Sequence, residues 1–130
     1  MRKLILILSL IFTVTLSSPS YAKWEKVMRN SKAMFYIDVE RIRKVDGYVY
    51  WWNLVDYLKP TKNGTMSAQV YIQGDCKLFR ERILNDSYYN EPMGRGEVAS
   101  SNNKPDKDWQ YPSPYSVPEL ILKKVCALKK

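Results

Sequence analysis

The residues that could perform catalytic chemistry in this 130-residue chain are few, and the chain contains no histidine. Without histidine, neither a Ser-His-Asp nor a Cys-His nucleophile can form, and the commonest general base is missing. No glycine-rich loop follows a predicted strand to hold a phosphate group. The carboxylates are scattered, without the paired spacing expected for glycoside hydrolysis. We therefore expect a protein that is not an enzyme and that uses no cofactor or metal ion.

The N-terminal sequence has the three parts of a secretory signal peptide. Arg2 and Lys3 give a positive start, residues 4–12 are almost entirely apolar, and Ser20-Tyr21-Ala22 places small side chains where a signal peptidase reads them. Polar residues interrupt the apolar run too early for a spanning helix, which needs about 20 apolar residues. We predict a signal peptide at 1–22 and a single mature domain at 23–130. Because Lys23, not a cysteine, follows, we expect a product without a lipid anchor, in the periplasm or at the cell surface.

Two cysteines, Cys76 and Cys126, are the residues suited to covalent chemistry. An even pair in an exported domain predicts one disulfide bond. Cys76 ends a predicted strand on the face shared by Ala68 and Ile72, and Cys126 lies on a predicted helix, so the bond would attach helix to sheet. Two free thiols or a metal-binding pair are the alternatives, although no histidine is present to complete a zinc site.

The full chain has a formal charge of +8, and the mature domain keeps +6 once Arg2 and Lys3 are removed. This charge favours an acidic macromolecule as partner, while simple solubility is an equal explanation. A nucleic acid fits poorly with export, and we expect none. No segment after residue 22 is long and apolar enough to span a membrane, and homodimer formation is left open.

The hydrophobic pattern predicts an α+β domain, with a small antiparallel sheet and a C-terminal helix packed on one face. Residues 48–57 form the strongest strand and carry apolar bulk on both faces, which indicates a central strand covered on both sides. Asp38 is predicted to cap a short helical turn at 39–43, and Asp46-Gly47 to form a hairpin turn. Ser116 and Glu119 form a capping box that starts the helix, whose apolar stripe consists of Val117, Ile121, Val125 and Leu128, widened by Leu120. Further strands are predicted at 24–29, 33–37, 66–76 and 77–88, with Trp24, Tyr36, Tyr50 and Trp52 in the core.

Residues 89–115 show no periodic pattern and are rich in Pro, Gly, Ser and Asn. A loop of this length in a small domain is usually functional or disordered. Trp109 and Tyr111 lie within it and are the candidate ligand-binding residues, because exposed aromatic rings form contact platforms. Packing of the loop back onto the sheet is the alternative.

The order of motifs along the mature chain resembles that of the bacterial surface-adhesin protein E family. The resemblance spans nearly all of residues 23–130. It is carried by Trp24 with Val27, Phe35-Tyr36-Ile37-Asp38, Ile42-Arg43-Lys44, Val49 to Trp52, Leu54, Asp56-Tyr57, Pro60, Asp75-Cys76, Arg80, Arg82-Ile83-Leu84, Tyr88, Met93-Gly94, Gly96, Trp109, Pro114, Ser116 and Cys126.

The resemblance implies a compact antiparallel sheet with a C-terminal helix and one disulfide. It also implies attachment to host matrix or serum proteins such as vitronectin and laminin, although no host-contact residue can be matched position by position. The first hypothesis is an exported binding module that uses strand edges and the 89–115 loop. The second is a soluble periplasmic protein of structural or inhibitor type, and the third is an enzyme of unidentified type.

Overall fold

The computed structural model describes residues 22–129, which form one antiparallel β-sheet and a C-terminal α-helix. This confirms the predicted α+β class. Of the predicted signal peptide, residues 1–21 lie outside the described part, so the boundary at 22 stays a prediction. The elements are β1 (Trp24–Arg29), β2 (Ala33–Asp38), β3 (Arg43–Val45), β4 (Tyr48–Tyr57), β5 (Ser67–Asp75), β6 (Arg80–Tyr89), β7 (Val98–Asn102) and α1 (Val117–Leu128).

The strands follow the order β1-β2-β4-β5-β6-β7, and β3 pairs with the first residues of β4 beside β2. Turn residues explain the short connections. The side-chain oxygen of Asn30 accepts the N–H groups of Lys32 and Ala33 at 2.8 and 2.9 Å between β1 and β2. Asp46 and Gly47 turn the chain from β3 into β4 with φ values of 52° and 83°, conformations that Asp and Gly tolerate in tight hairpins.

The helical turn predicted at 39–43 is shorter in the structure. A 3-10 turn covers Val39–Arg41, and the carboxylate of Asp38 caps it by accepting the N–H of Glu40 at 3.2 Å, as predicted. Arg43 instead begins β3, opposite Tyr50 in the register. Pairing with β4 satisfies backbone groups that a single helical turn would leave without partners.

Helix α1 packs against one face of the sheet. Ser116 caps it by accepting the N–H of Glu119 at 3.2 Å, while Glu119 accepts the N–H of Tyr115 rather than that of Ser116. The predicted helix stripe is partly wrong, because Leu120 and Leu128 are 45% and 50% exposed. The buried cluster between helix and sheet consists of Ile37, Ile42, Val49, Trp51, Ile72, Ile121, Leu122 and Val125. No helix within residues 22–129 is long and apolar enough to cross a membrane.

The predicted disulfide between Cys76 and Cys126 is present, with 5.8 Å between the two Cα atoms. It joins the residue after β5 to the last turn of α1. Gly74 allows the close approach of helix and sheet at this point. A Cβ atom there would lie 2.7 Å from the Trp51 ring and 3.0 Å from Leu122, which is closer than packed carbon atoms tolerate.

The strong strand β4 is covered by the helix on one face only. Trp51 is fully buried on that face, at 0% exposure, whereas Tyr50 and Trp52 are partly buried on the other. Trp24 and Tyr36 are also only partly buried, so the prediction that these four residues fill the core is wrong. The helix covers one side of the sheet. On the other side the 3-10 turn Pro92–Gly94 contacts Asp56 and Gln69 next to the fully buried Leu54, but leaves Tyr50 and Trp52 partly exposed.

Residues 89–115 contain more structure than their composition predicts. A 3-10 turn covers Pro92–Gly94, and β7 pairs with β6 at the edge of the sheet. Every residue of β7 is exposed, so no alternation of buried and polar residues could reveal the strand. After Asn102, the segment touches the sheet through a backbone bridge between Gln110 and Glu81.

Candidate functional site

The sheet face opposite α1 presents a surface of aromatic and arginine side chains, which we call the open face. It lies between Trp109 at one end and the 3-10 turn Pro92–Gly94 at the other. Strand alternation puts these side chains on the side away from the helix, because neighbouring residues in a strand point to opposite faces. The open face consists of Arg41, Arg43, Tyr48, Tyr50, Trp52, Tyr71, Gln73, Arg80, Arg82 and Trp109.

One part of the open face is an aromatic stack across β4 and β5. Trp52 lies opposite Tyr71 in the register, and the two rings stack with centroids 4.7 Å apart and planes inclined by 24°. The guanidinium of Arg41 lies 5.7 Å from the Trp52 ring centroid. Together with Arg43 and the carboxylate residue Glu40, these residues line a cavity of about 490 Å³. Such a site offers flat apolar area with cationic groups at its rim.

The second part is built around Trp109. Its indole ring stacks on Tyr48, and the guanidinium groups of Arg80 and Arg82 lie 4.4 and 4.6 Å from its ring centroid. The backbone of the next residue, Gln110, exchanges two hydrogen bonds with Glu81, at 2.9 and 2.8 Å. These bonds hold the loop on the strand, so that the indole ring is fixed above the arginines.

A row of hydrogen bonds connects the two parts. The Nε of Arg82 donates to the side-chain oxygen of Gln73 at 2.7 Å, and the amide nitrogen of Gln73 donates to the hydroxyl of Tyr50 at 3.0 Å. Arg43 donates from Nη2 to the hydroxyl of Tyr71 at 2.8 Å. Gln73 is 6% exposed, and these bonds satisfy both ends of its buried amide.

Two of the four arginines are neutralised within the fold. Arg41 pairs with Asp38 at 2.5 Å, and Arg80 pairs with Asp75 at 3.0 Å. Burial works against ionisation of Asp75, but hydrogen bonds from the Leu78 N–H and from Arg80 outweigh it and hold the pKa of this carboxyl below its ordinary value. Arg43 and Arg82 form no ion pair with any residue among 22–129.

The two aromatic residues predicted as ligand-binding occupy different positions. Trp109 is partly buried and belongs to the open face, so the loop packs back onto the sheet at this point. Tyr111 is 65% exposed and lines a cavity of about 300 Å³ at the edge of the open face, together with Glu81, Arg82 and Pro118. Their role in binding a ligand stays a prediction.

Sequence reasoning missed the arginines and Gln73 as candidate contact residues. One signal was available, because alternation in β5 places Tyr71 and Gln73 on the face away from Ala68 and Ile72. The partners of these residues on β3 and β6 could not be found without the register. Among the residues that the structure describes, no group of three or more cysteine, aspartate or glutamate side chains could hold a metal ion.

Comparison with known proteins connects this architecture to a family. The sequence profile of the Surface-adhesin protein E family matches residues 24–127. Crystal form II of Haemophilus influenzae protein E has 20% sequence identity, covers 86% of this chain and 94% of its own, and superposes with a TM-score of 0.63.

Protein E from non-typeable Haemophilus influenzae also has 20% identity, covers 86% of this chain and 82% of its own, and gives a TM-score of 0.60. At this identity the structures show a common fold. None of the curated protein sequences matches the chain. Because the profile match runs from β1 to the last turn of α1, the chain belongs to the Surface-adhesin protein E family.

Proposed function

We propose that the chain is an exported adhesin-type binding protein that contacts a protein partner through its open face. One observation carries this proposal: aromatic rings and oriented arginines share the sheet face that α1 leaves uncovered. Tryptophan, tyrosine and arginine are enriched among the few residues that contribute most of the binding energy at protein interfaces. Membership of the surface-adhesin family supports a binding role and suggests that the protein is not an enzyme.

The proposal extends to where the protein acts. We propose that residues 1–22 direct export, and that the partner is a host matrix or serum protein met at the cell surface. The alternative is a soluble periplasmic protein of structural or inhibitor type with the same fold. Protease added to intact cells should digest the protein if it reaches the surface. Digestion only after permeabilisation of the outer membrane would favour the periplasmic alternative. N-terminal sequencing of the exported protein should find Lys23 as its first residue.

The contact surface is tested with purified residues 23–130 against immobilised matrix and serum proteins. The double variant Trp52→Ser and Tyr71→Ser removes the aromatic stack, and we expect it to weaken binding at least tenfold because each large aromatic anchor contributes more than 1 kcal/mol at such sites. Leu120→Ser is the matched control, since Leu120 is exposed on the helix at the opposite side.

The edge strand β7 is the competing contact surface, because its exposed backbone could pair with a strand of another chain. Ser100→Pro would remove a backbone donor there. Binding that is lost in Ser100→Pro but retained in the double aromatic variant would overturn the open-face proposal. Circular dichroism of each variant checks that the fold is intact.

A further inference from the structure

Arg43 and Arg82 lie at the two ends of one transverse row of the sheet. In the register, Arg43 is opposite Tyr50, Tyr50 is opposite Gln73, and Gln73 is opposite Arg82. The row therefore crosses four adjacent strands. Since neighbouring strands are about 4.8 Å apart, the backbones of the two arginines are separated by about 14 Å.

Both guanidinium groups are oriented by the residues between them. Arg82 gives its Nε–H to Gln73 and lies on the Trp109 ring, and Arg43 gives an Nη2–H to Tyr71 and lies 5.9 Å from the Tyr50 ring centroid. A guanidinium has five N–H donors in a fixed plane. Each arginine therefore keeps further donors for a ligand while its position is set by the fold.

The charge of the open face distinguishes between ligand classes. Asp38 and Asp75 neutralise Arg41 and Arg80, and Glu40, which shares the cavity beside Arg43, pairs with Lys23 at 3.1 Å. The two ends of the row are therefore the arginines of the open face without an ion-pair partner among residues 22–129. Polyanions bind through many cations that release condensed counterions together. The open face instead has two separate arginines, with the hydrogen-bonded side chains of Tyr50 and Gln73 between them. This arrangement matches two separate anionic groups better than a continuous polyanion.

Carboxylates of an extended peptide fit this spacing. An extended chain rises about 3.3 Å per residue, and residues two or four apart point to the same side. Side chains four residues apart are therefore about 13 Å apart, close to the separation of the backbones from which the two arginines extend. The residue midway between them would lie over Tyr50 and Gln73, next to the ring of Tyr71.

We infer that the open face recognises an extended acidic peptide segment with carboxylates at positions i and i+4, bound by Arg43 and Arg82, and with an aromatic or apolar residue at i+2. This inference rests on the proposed function and specifies the chemistry of the partner. Planar bidentate pairing of arginine with carboxylate supplies the specificity. Gln73 acts as a positioning residue, because it fixes the Arg82 plane while both ends of its own amide are bonded within the fold.

The test uses purified residues 23–130 and a fluorescein-labelled nine-residue peptide with aspartate at its third and seventh positions, tyrosine at its fifth, and glycine or serine elsewhere. A peptide of the same composition with adjacent aspartates is the comparison. By fluorescence anisotropy, we expect the spaced peptide to bind at least about tenfold more tightly. Arg43→Gln and Arg82→Gln should each weaken it about tenfold, the typical size of a charge-assisted hydrogen bond.

Lys44→Gln is the matched control. It removes the same charge from the same strand, but Lys44 lies opposite Val49 on the other face, so binding should change less than twofold. Gln73→Leu keeps the net charge and should reduce the preference for the spaced peptide, and Gln73→Asn gives a second, more conservative test of the same effect. Equal affinity for both peptides, or equal losses in Lys44→Gln and Arg43→Gln, would overturn the inference.

A heparin-derived oligosaccharide provides a further comparison. If it binds more tightly than the spaced peptide and depends on the same two arginines, the partner is a sulfated glycan and the inference is wrong. Failure of the inference differs from failure of the proposed function. Suppose that the parent protein does not bind the spaced peptide, but that it binds a matrix or serum protein and the double variant Trp52→Ser and Tyr71→Ser does not. This result would contradict the inference and leave the proposed function intact.

Discussion

The indole ring of Trp109 stacks on the phenol ring of Tyr48, with centroids 5.7 Å apart and planes inclined by 20°. This contact joins residues 61 positions apart in the sequence, one from an irregular segment and one from the start of β4. The segment around Trp109 is thereby tied to the sheet on its open face, while Gln110 is bonded to the edge of β6. The stack and the backbone bridge hold a connection that has little regular structure of its own.

Replacing Trp109 should release this connection. Trp109→Ala removes the stack and both cation–π contacts, and we expect the free energy of unfolding to fall by about 1–2 kcal/mol. Amide hydrogen exchange at Gln110, which donates to Glu81, should become faster. Trp109→Phe should retain most of the protection, and Tyr111→Ala is the neighbouring control. Unchanged exchange at Gln110 in Trp109→Ala would show that the backbone bridge alone holds the segment.

The disulfide is expected to be a major contributor to stability. It links residues separated by 50 positions, and the chain-entropy relation for a loop of this length gives up to about 4 kcal/mol. The double variant Cys76→Ala and Cys126→Ala should lower the urea midpoint accordingly. Mass spectrometry of the exported protein should detect no thiol that can be alkylated before reduction. Two alkylatable thiols without reduction would contradict the bond in the native state.

Gly74 is required where the helix approaches the sheet. Gly74→Ala would place a methyl group against Trp51, Val49 and Leu122. We expect a loss of about 1–3 kcal/mol in the free energy of unfolding, because overpacking forces buried side chains from their preferred positions. Urea denaturation measures the change. Ser100→Ala, at an exposed strand position, should remain within about 0.5 kcal/mol of the parent.

Glu81 should make stability depend on pH. Burial raises the pKa of Glu81 to about 7, from an ordinary value of 4.5. The folded state therefore holds a proton that the unfolded state has released, and the free energy of unfolding should fall as pH rises from about 4.5 to about 7. Arg82, Asp106 and Tyr111 are the titratable groups that share its cavity.

The measurement compares denaturation of the parent and Glu81→Gln across this pH range. The decrease assigned to Glu81 should be absent in Glu81→Gln and present in Glu97→Gln, which changes an exposed carboxylate. Identical pH slopes in the parent and Glu81→Gln would show that Glu81 titrates at its ordinary value in the folded protein.

The sequence was sufficient to predict β1, β2, β4, β5, β6 and the helix, but neither β3 and β7 nor which face of each strand is buried. Strand β4, the Asp46-Gly47 turn, the Ser116 cap and the cysteine pair each have local signals, and all four are present in the structure. The choice between Trp51 and Trp52 for the core had no local signal, because both faces of β4 carry large apolar residues. The position of α1 decides it, and that position depends on how β4 and β5 align.

The row from Arg43 to Arg82 could not be predicted from the sequence for the same reason. It depends on three successive strand registers, including a register shift between Tyr71 and Ile72 where β5 meets β6. A bulge of this kind changes which side chains are neighbours and leaves little trace in composition. The Trp109 contact was anticipated only as one of two alternatives, since no periodic pattern surrounds that residue.

The alternation in β4 also limits which changes of sequence this sheet can tolerate. Buried Trp51 lies between Tyr50 and Trp52 of the open face, so core and open-face residues are interleaved along one strand. Inserting or deleting one residue there would send every following side chain to the opposite face. The chemistry of the open face can therefore be altered by exchanging individual side chains of β4, whereas any change in the length of this strand would also disrupt the core.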